Sequence, residues 1–169
     1  MTDKDSRRET VIIADDDPTI RAVMRASLQK GGFDVIDVEN GALACEAFAI
    51  HNPAIVVLDV EMPVQDGFLT CAQIRRLPGG ENVPIVMVTG RDDIEAVDEA
   101  YNAGATDFIA KPINWPIFGH RVQYILRASQ DYQALRRTEA KNDVLLDAMP
   151  DSFIVLEDND AISDYIPGK

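Results

Sequence analysis

The chain has few basic residues, and this shortage argues against several kinds of partner. Its 169 residues include 16 Lys and Arg against 29 Asp and Glu, which gives a formal net charge of −13. Binding to the backbone of DNA or RNA requires clustered Lys and Arg, and binding to an anionic membrane surface does too. We therefore expect no direct contact with nucleic acid and none with a membrane.

Long apolar runs and cysteines are also scarce. No run of 18 or more apolar residues occurs, so we expect no spanning helix. Residues 1–9 are polar, are expected to be disordered, and lack the apolar core of a secretory signal. Cys45 and Cys71, the two cysteines, lie in helix-like stretches and are expected to be inert thiols. Together these features predict a cytoplasmic protein.

Short apolar runs alternate with amphipathic segments along the first part of the chain. The runs are continuous and mostly β-branched, as is typical of parallel strands buried on both faces. They cover residues 11–14, 35–38, 55–58, 85–88 and 108–110. Helix-like segments, most of them bounded by Pro or Gly, cover residues 18–30, 42–51, 68–77, 94–103 and the stretch after Pro116. Five such βα units predict an α/β fold, a doubly wound five-stranded parallel sheet with an extended C-terminal helix.

Polar residues follow four of the predicted strands. Asp15 and Asp16 follow the first strand, and Asp59 ends the third. Thr89 ends the fourth strand, and Lys111 follows the fifth. Ligands of open parallel sheets bind at this edge, and clustered carboxylates attract a hard cation such as Mg²⁺. The sequence therefore predicts a magnesium site beside a lysine and a threonine, with both of these near solvent.

Each of these residues also has a plainer interpretation. Asp17, directly before Pro18, is expected to cap the first helix, and the whole run of acids could serve that purpose. Thr89 could be an ordinary strand residue, and Lys111 a surface lysine whose bond to Pro112 is a candidate for cis. The prediction of a site depends on all of these features coinciding at the correct strand ends.

Four segments, VIIADDDP, IVVLDVEMPVQDGF, PIVMVTG and GATDFIAKP, together resemble the receiver domain of two-component response regulators. The resemblance covers residues 10–127 and implies a flavodoxin-like strand order, 2-1-3-4-5. It implies that Asp59 accepts a phosphoryl group from a histidine kinase or a phosphotransfer protein. It also implies that Asp16 binds Mg²⁺ directly, Asp15 partly through water, and Glu61 through its backbone carbonyl.

The resemblance assigns the remaining roles at the same edge of the sheet. Lys111 would hold the phosphoryl group, and Thr89 would swing toward it. Phe108 would be an aromatic switch whose rotamer follows Thr89, although it could also be an ordinary core aromatic. His51 and His120 match no phosphodonor motif of a kinase, so the donor histidine is expected on another protein or segment.

The helical pattern continues past the expected end of the receiver. Residues 128–149 are predicted to form a helical or coiled-coil linker, interrupted at Glu139 and Asn142. The predicted seam of this linker consists of Ile125, Ala128, Tyr132 and Leu135. It predicts a homodimer with parallel helices, tighter after phosphorylation; the alternative is a helix that packs on its own receiver.

Residues 150–169 resemble the truncated start of a PAS sensory domain. They are too few to bury a core, so we expect the chain to be part of a longer protein with a C-terminal output domain. For this arrangement the family expectation is a diguanylate cyclase or a kinase, although no residue of either is present.

Three other functions compete with the phosphorylated response regulator. The chain could be the receiver of a hybrid sensory histidine kinase or a scaffold that is never phosphorylated. An aspartyl-phosphate phosphatase of the dehalogenase type would need an acid two residues after the nucleophile and then a threonine. Glu61 is followed here by Met62 and Pro63 instead. We therefore predict no enzymatic turnover beyond the phosphorylation and dephosphorylation of the domain itself.

Overall fold

The computed structural model describes residues 8–90, 94–147, 153–156 and 162–166. Most of the predicted disordered N-terminus, residues 1–7, lies outside this description, as do residues 148–152, 157–161 and 167–169 of the linker end and the PAS-like segment. The chain divides into two compact units, Met1–Ser129 and Gln130–Lys169.

The first unit contains a five-stranded parallel sheet. Its strands are β1 (Thr10–Ala14), β2 (Asp34–Val38), β3 (Ile55–Asp59), β4 (Ile85–Thr89) and β5 (Asp107–Ala110). They pair in the order β2-β1-β3-β4-β5, and every pairing is parallel. The predicted fold class and strand order are therefore confirmed, and each strand begins and ends within one residue of its predicted run.

Five helices connect and follow the strands. They are α1 (Pro18–Lys30), α2 (Gly41–His51), α3 (Gly67–Ile74), α4 (Ile94–Asn102) and α5 (Trp115–Asp147). Helix α3 is shorter than predicted, because the chain after Ile74 bends into turns in which the Leu77 amide donates to the Ile74 carbonyl at 3.0 Å. Helix α4 is followed by Gly104 at a φ of 95°, a left-handed conformation that glycine adopts without a steric penalty.

The sheet separates two hydrophobic clusters. Successive side chains of a strand point to opposite faces, so alternate residues of each run enter different clusters. Ile12 and Val56 lie in the cluster that includes α2 and α3, whereas Val11 and Val57 lie in the cluster that includes α1 and α5. All four side chains are completely buried, which explains why the strand sequences are apolar without a break.

The start of α3 packs directly on the end of β3. A Cβ atom placed on Gly67 would lie 2.3 Å from the Asp59 carbonyl oxygen, so no larger residue fits there. The Gly67 amide donates to the Val60 carbonyl at 3.0 Å, and Asp66 caps the helix by accepting from the Leu69 amide at 2.8 Å. These contacts fix the backbone on which Asp59 stands.

Both cysteines are free in the first unit. Cys71 is buried and Cys45 is partly buried, and burial raises the pKa of both thiols. Thiols of this kind are poor nucleophiles and poor metal ligands.

The second unit contains an antiparallel pair of strands, β6 (Phe153–Leu156) and β7 (Ile162–Ile166). Among the residues that the structure describes, no helix has the length and apolar character needed to cross a membrane.

Candidate acidic site at the carboxyl edge of the sheet

The loop after β1 places its three acids in different surroundings. Asp17 caps α1, because its carboxylate accepts from the amides of Thr19 at 2.7 Å and Ile20 at 3.3 Å. These hydrogen bonds hold the pKa of Asp17 below its ordinary value. Asp16 is exposed, whereas Asp15 is completely buried. Helix capping thus accounts for Asp17, but not for the acids before it.

Asp59 ends the central strand β3 and is paired with the lysine that follows β5. Its side chain is almost fully buried, and its Oδ1 lies 2.9 Å from Lys111 Nζ. Burial raises the pKa of Asp59 to about 6, even though the hydrogen bond from Lys111 lowers it. Burial lowers the pKa of Lys111, but the hydrogen bond from Lys111 to Asp59 and the charges of Asp59, Asp15 and Asp16 together outweigh this and raise the pKa overall. The lysine is therefore cationic at neutral pH.

The structure brings three carboxylates together beside this pair. Asp15, Asp16 and Asp59 each offer an oxygen atom, and these atoms lie within 4.8 Å of one another. Asp15 Oδ2 is buried and accepts no hydrogen bond from the described residues, and it lies 3.8 Å from Lys111 Nζ. Burial is the main cause that raises the pKa of Asp15. An oxygen-rich cluster with an unsatisfied buried oxygen suits a hard divalent cation such as Mg²⁺.

Thr89 and Phe108 lie on the two neighbouring strands. Thr89 ends β4 with only 3% of its surface exposed, so the expectation that it lies near solvent is wrong: β4 has a paired strand on each side. The Lys111 amide donates to the Thr89 carbonyl at 2.7 Å, and the Lys111–Pro112 bond is cis. Phe108 packs edge-to-face on Tyr101 of α4 with ring centroids 6.4 Å apart.

The remaining predicted residues lie in other surroundings. Glu61 is exposed two residues after Asp59, and the role of its backbone carbonyl remains a prediction. Ile125 is buried in the core shared with α1, so it cannot belong to a surface seam as predicted. Ala128, Tyr132 and Leu135 are exposed.

One contact of the acid loop was not foreseen from the sequence. Arg21 Nη1 donates to the carbonyl oxygens of Asp15 at 2.6 Å and Asp16 at 3.1 Å. Side chains in a helix point back toward its N-terminus, so an arginine in the first turn of α1 is suited to reach the preceding loop. That directional rule was the signal available in the sequence.

Comparison with protein families matches residues 11–123 to the response regulator receiver domain. The chain belongs to this family. It is 30% identical over 145 residues to the DNA-binding dual master transcriptional regulator RpaA of Synechocystis, covering 85% of this chain and 60% of RpaA.

Two solved structures resemble this receiver domain. A response regulator from Chloroflexus aurantiacus is 31% identical with a TM-score of 0.68, covering 72% of this chain and 99% of the other. The receiver domain of a signal transduction histidine kinase from Syntrophus aciditrophicus is 27% identical with a TM-score of 0.65, covering 71% and 91%.

The chain contains a receiver domain of two-component signalling, matched over residues 11–123, with an acidic pocket at the carboxyl edge of its sheet. It spans between 46% and 63% of the length of the curated relatives it matches. The resemblance inferred from the four sequence motifs is thus confirmed. That RpaA binds DNA does not conflict with the absence of nucleic-acid contacts predicted for this chain, because it concerns the longer protein.

Proposed function

We propose that this receiver accepts a phosphoryl group on the carboxylate of Asp59 from the phosphohistidine of a cognate histidine kinase or phosphotransfer protein. The supporting observation is the pairing of Asp59, buried at the end of a central strand, with Lys111 Nζ at 2.9 Å inside a group of three acids. A carboxylate in such a position is exposed to little competing water and is held in one orientation.

The transfer is a nucleophilic displacement at phosphorus. An oxygen of Asp59 attacks, the bond from phosphorus to the histidine nitrogen breaks, and its electron pair stays on the imidazole. The product is an acyl phosphate on Asp59. The ammonium of Lys111, 2.9 Å from Asp59, would donate a hydrogen bond to a phosphoryl oxygen and balance its negative charge.

Mg²⁺ is the cofactor that the acid cluster fits. We assign its carboxylate ligands to Asp15, Asp16 and Asp59 and a further ligand to the backbone carbonyl of Glu61. The buried Asp15 Oδ2, which accepts no hydrogen bond from the described residues, supports this assignment. Bound at this position, the ion would neutralise charge on the carboxylates and on the phosphoryl oxygens.

The response to phosphorylation is assigned to Thr89 and Phe108. Thr89 ends β4, where its hydroxyl could bond a phosphoryl oxygen on the neighbouring strand end. A shift of Thr89 would change the space beside β5, where Phe108 packs on Tyr101. The Phe108 carbonyl also accepts from Arg121 of α5 at 2.8 Å, so a change at β5 reaches both α4 and α5.

For the organisation of the chain we propose a receiver domain at residues 10–127, a helical linker at residues 128–149 and the start of a PAS-like domain at residues 150–169. The last of these segments contains the antiparallel strands β6 and β7, which is compatible with the start of a further domain. The relative RpaA is named as a DNA-binding regulator, which favours a transcriptional output instead of a cyclase or kinase. A gel-shift assay on the full-length protein with genomic DNA fragments distinguishes the two, because only a transcriptional output retards DNA.

We further propose a homodimer through the exposed residues Ala128, Tyr132 and Leu135 of α5, tighter when Asp59 is phosphorylated. Tyr132 is 60% exposed and Leu135 58% exposed, so both side chains are available to contact a second copy of the chain. Sedimentation at several concentrations, with and without beryllium fluoride, tests the proposal. A dimer unaffected by Tyr132→Glu with Leu135→Glu, or a strict monomer in both conditions, would rule it out.

The acceptor role itself is tested by intact-mass measurement after incubation with acetyl phosphate and Mg²⁺. One phosphoryl adduct is expected, and it should disappear in Asp59→Asn. A scaffold that is never phosphorylated would give no adduct in either protein.

The receiver of a hybrid kinase is the second candidate, because the Syntrophus neighbour is the receiver domain of a histidine kinase. The receiver of a hybrid kinase would also give the phosphoryl adduct. A phosphodonor histidine elsewhere in the same full-length protein would distinguish it from the receiver of a response regulator.

A further inference from the structure

Arg21 contacts the acid loop through the backbone of the loop and not through its carboxylates. Its Nη1 atom bridges two successive backbone carbonyls, those of Asp15 at 2.6 Å and Asp16 at 3.1 Å. The arginine side chain is itself mostly buried, with 16% of its surface exposed. A buried guanidinium that binds two carbonyls in series restricts the orientation of both peptide groups.

The second of these peptide groups connects Arg21 to a carboxylate. In a trans peptide the C=O and the following N–H point in opposite directions in one plane. When Arg21 holds the Asp16 carbonyl, the amide of Asp17 must therefore point away from the arginine. That amide donates to Asp15 Oδ1 at 2.9 Å. The bond holds one oxygen of Asp15, and the other oxygen, Oδ2, is left on the side of Lys111 and the acid cluster.

We propose that Arg21 is a positioning residue for the metal site: through the Asp16–Asp17 peptide it holds the Asp15 carboxylate with its free oxygen toward the cation. The inference rests on the proposed function, because it assigns Arg21 to the same Mg²⁺ site. Arg21 does not touch the cation or the phosphoryl group.

Arg21 is held in turn by an acid on the edge strand. Its Nε lies 3.6 Å from Asp37 Oδ2 on β2, and Arg25, one turn further along α1, pairs with the other oxygen of Asp37. Both arginines thus share Asp37, but the described contacts connect only Arg21 to the acid loop. This arrangement supplies a matched control, since Arg25→Gln removes a similar ion pair and leaves the loop contacts in place.

The test measures Mg²⁺ binding itself. The thermal midpoint of the chain is followed as Mg²⁺ is added, because a ligand that binds only the folded state raises it by mass action. A second measurement gives the yield of phosphorylation by acetyl phosphate at each Mg²⁺ concentration. It separates the half-saturating Mg²⁺ concentration from the maximal yield.

Arg21→Gln is expected to raise the half-saturating Mg²⁺ concentration about tenfold, equivalent to ~1.4 kcal/mol, with a maximal yield within about twofold of the wild type. Arg21→Lys should restore part of the affinity, to about a threefold loss, because an ammonium can reach a carbonyl but lacks the planar fork of arginine. If Arg21→Gln does not fold, the lysine variant carries the test. Arg25→Gln should bind Mg²⁺ within about twofold of the wild type, as expected for a residue outside the loop.

An Arg21→Gln variant with the same Mg²⁺ dependence as Arg25→Gln overturns the inference. So does an Arg21→Lys variant that binds Mg²⁺ as weakly as the glutamine variant, because the loss would then not follow the hydrogen-bonding capacity of the side chain. A wild-type chain with neither a Mg²⁺-dependent midpoint nor an adduct overturns the proposed function and this inference together. Normal wild-type behaviour with an unaffected Arg21→Gln overturns the inference alone.

Discussion

The charged side chains at the two ends of the sheet differ in how completely they are hydrogen-bonded. Before β4 and β5, the Arg75 side chain donates to the carbonyls of Gly104 at 2.8 Å and of Gly80 and Val83 at 2.6 Å. Beyond the opposite ends of the strands, Asp15 and Asp59 share one lysine, and Asp15 Oδ2 accepts no hydrogen bond from the described residues.

The difference separates a structural cluster from a functional one. Arg75, at the end of α3, donates hydrogen bonds to the segments that lead into β4 and β5. Each of its three side-chain nitrogens has an acceptor. The acids at the other end repel one another and carry raised pKa values. Such an arrangement is costly unless another positive charge is added, and it is typical of a site that binds a ligand. Charge that lacks hydrogen-bond partners, more than charge alone, therefore distinguishes the site from the rest of the sheet.

If the acid cluster at the carboxyl edge of the sheet carries out phosphoryl transfer, Asp59→Asn should reduce the phosphorylated fraction by more than about 100-fold. The reason is that the amide lacks the nucleophilic carboxylate oxygen. Intact-mass measurement after acetyl phosphate treatment checks this. Asp66→Asn is the control: Asp66 caps α3 in the same loop, and its variant should be phosphorylated normally. An adduct of equal yield in Asp59→Asn would place the acceptor elsewhere.

The loss of stability on removing each of the two partly buried cations, Arg75 and Lys111, should differ. Arg75→Met leaves three carbonyls without their donor and should lower the free energy of unfolding by about 3 kcal/mol. Lys111→Met should lower it by only about 1 kcal/mol, because Asp59 can take up a proton instead of remaining an unpaired charge. Urea denaturation at pH 7 measures both. Equal losses would remove the distinction between the two ends of the sheet.

The raised pKa of Asp59 makes a pH prediction with a definite sign. Since its pKa is about 6 in the folded state, above the ordinary aspartate value of 3.8 that applies to the unfolded chain, the folded state binds the proton more tightly. This group therefore destabilises the fold at pH 7, and the destabilisation disappears as the pH falls through about 6 toward 4.

We compare the free energy of unfolding of Asp59→Asn with that of the wild type. The value for the variant minus the value for the wild type should fall by about 2 kcal/mol between pH 7 and pH 4.5. Urea denaturation of both proteins across this range gives the difference, in which the carboxylates outside the acid cluster cancel. A difference that stays constant with pH would mean that the acid is not perturbed. Saturating Mg²⁺ should also reduce the effect, because bound Mg²⁺ opposes protonation of the site.

The smallest effect is expected from a pair of threonines at opposite ends of the sheet. Thr106 Oγ1 accepts from the Ile85 amide at 3.0 Å and lies 3.4 Å from Arg75 Nη2, whereas Thr89 stands beside the acidic site. Each Thr→Ala variant should lose about 1 kcal/mol of stability. Only Thr89→Ala should blunt the change of a fluorine label at Phe108 when beryllium fluoride is added. If both variants respond like the wild type, Thr89 does not relay the signal.

The fold, and the set of residues that meet at the carboxyl edge of the sheet, could be predicted from the sequence. Continuous β-branched runs separated by helical patterns predict a parallel sheet covered on both faces. The carboxyl ends of such strands meet at one edge of the sheet. Asp15, Asp16, Asp59, Thr89 and Lys111 could therefore be assigned to that edge from their positions alone. The capping role of Asp17 followed from its place before Pro18.

The surroundings of these residues, by contrast, depend on how distant parts of the chain pack together. Thr89 is buried because strands pair on both sides of β4, and Ile125 is in the core because that turn of α5 packs in the cluster with α1. The ion pair of Arg21 with Asp37 exists only because β2 packs beside α1 in the folded chain. Neighbours distant in sequence set burial and hydrogen-bond partners, so a periodic pattern can place a residue at an edge without showing which of its atoms remain unsatisfied.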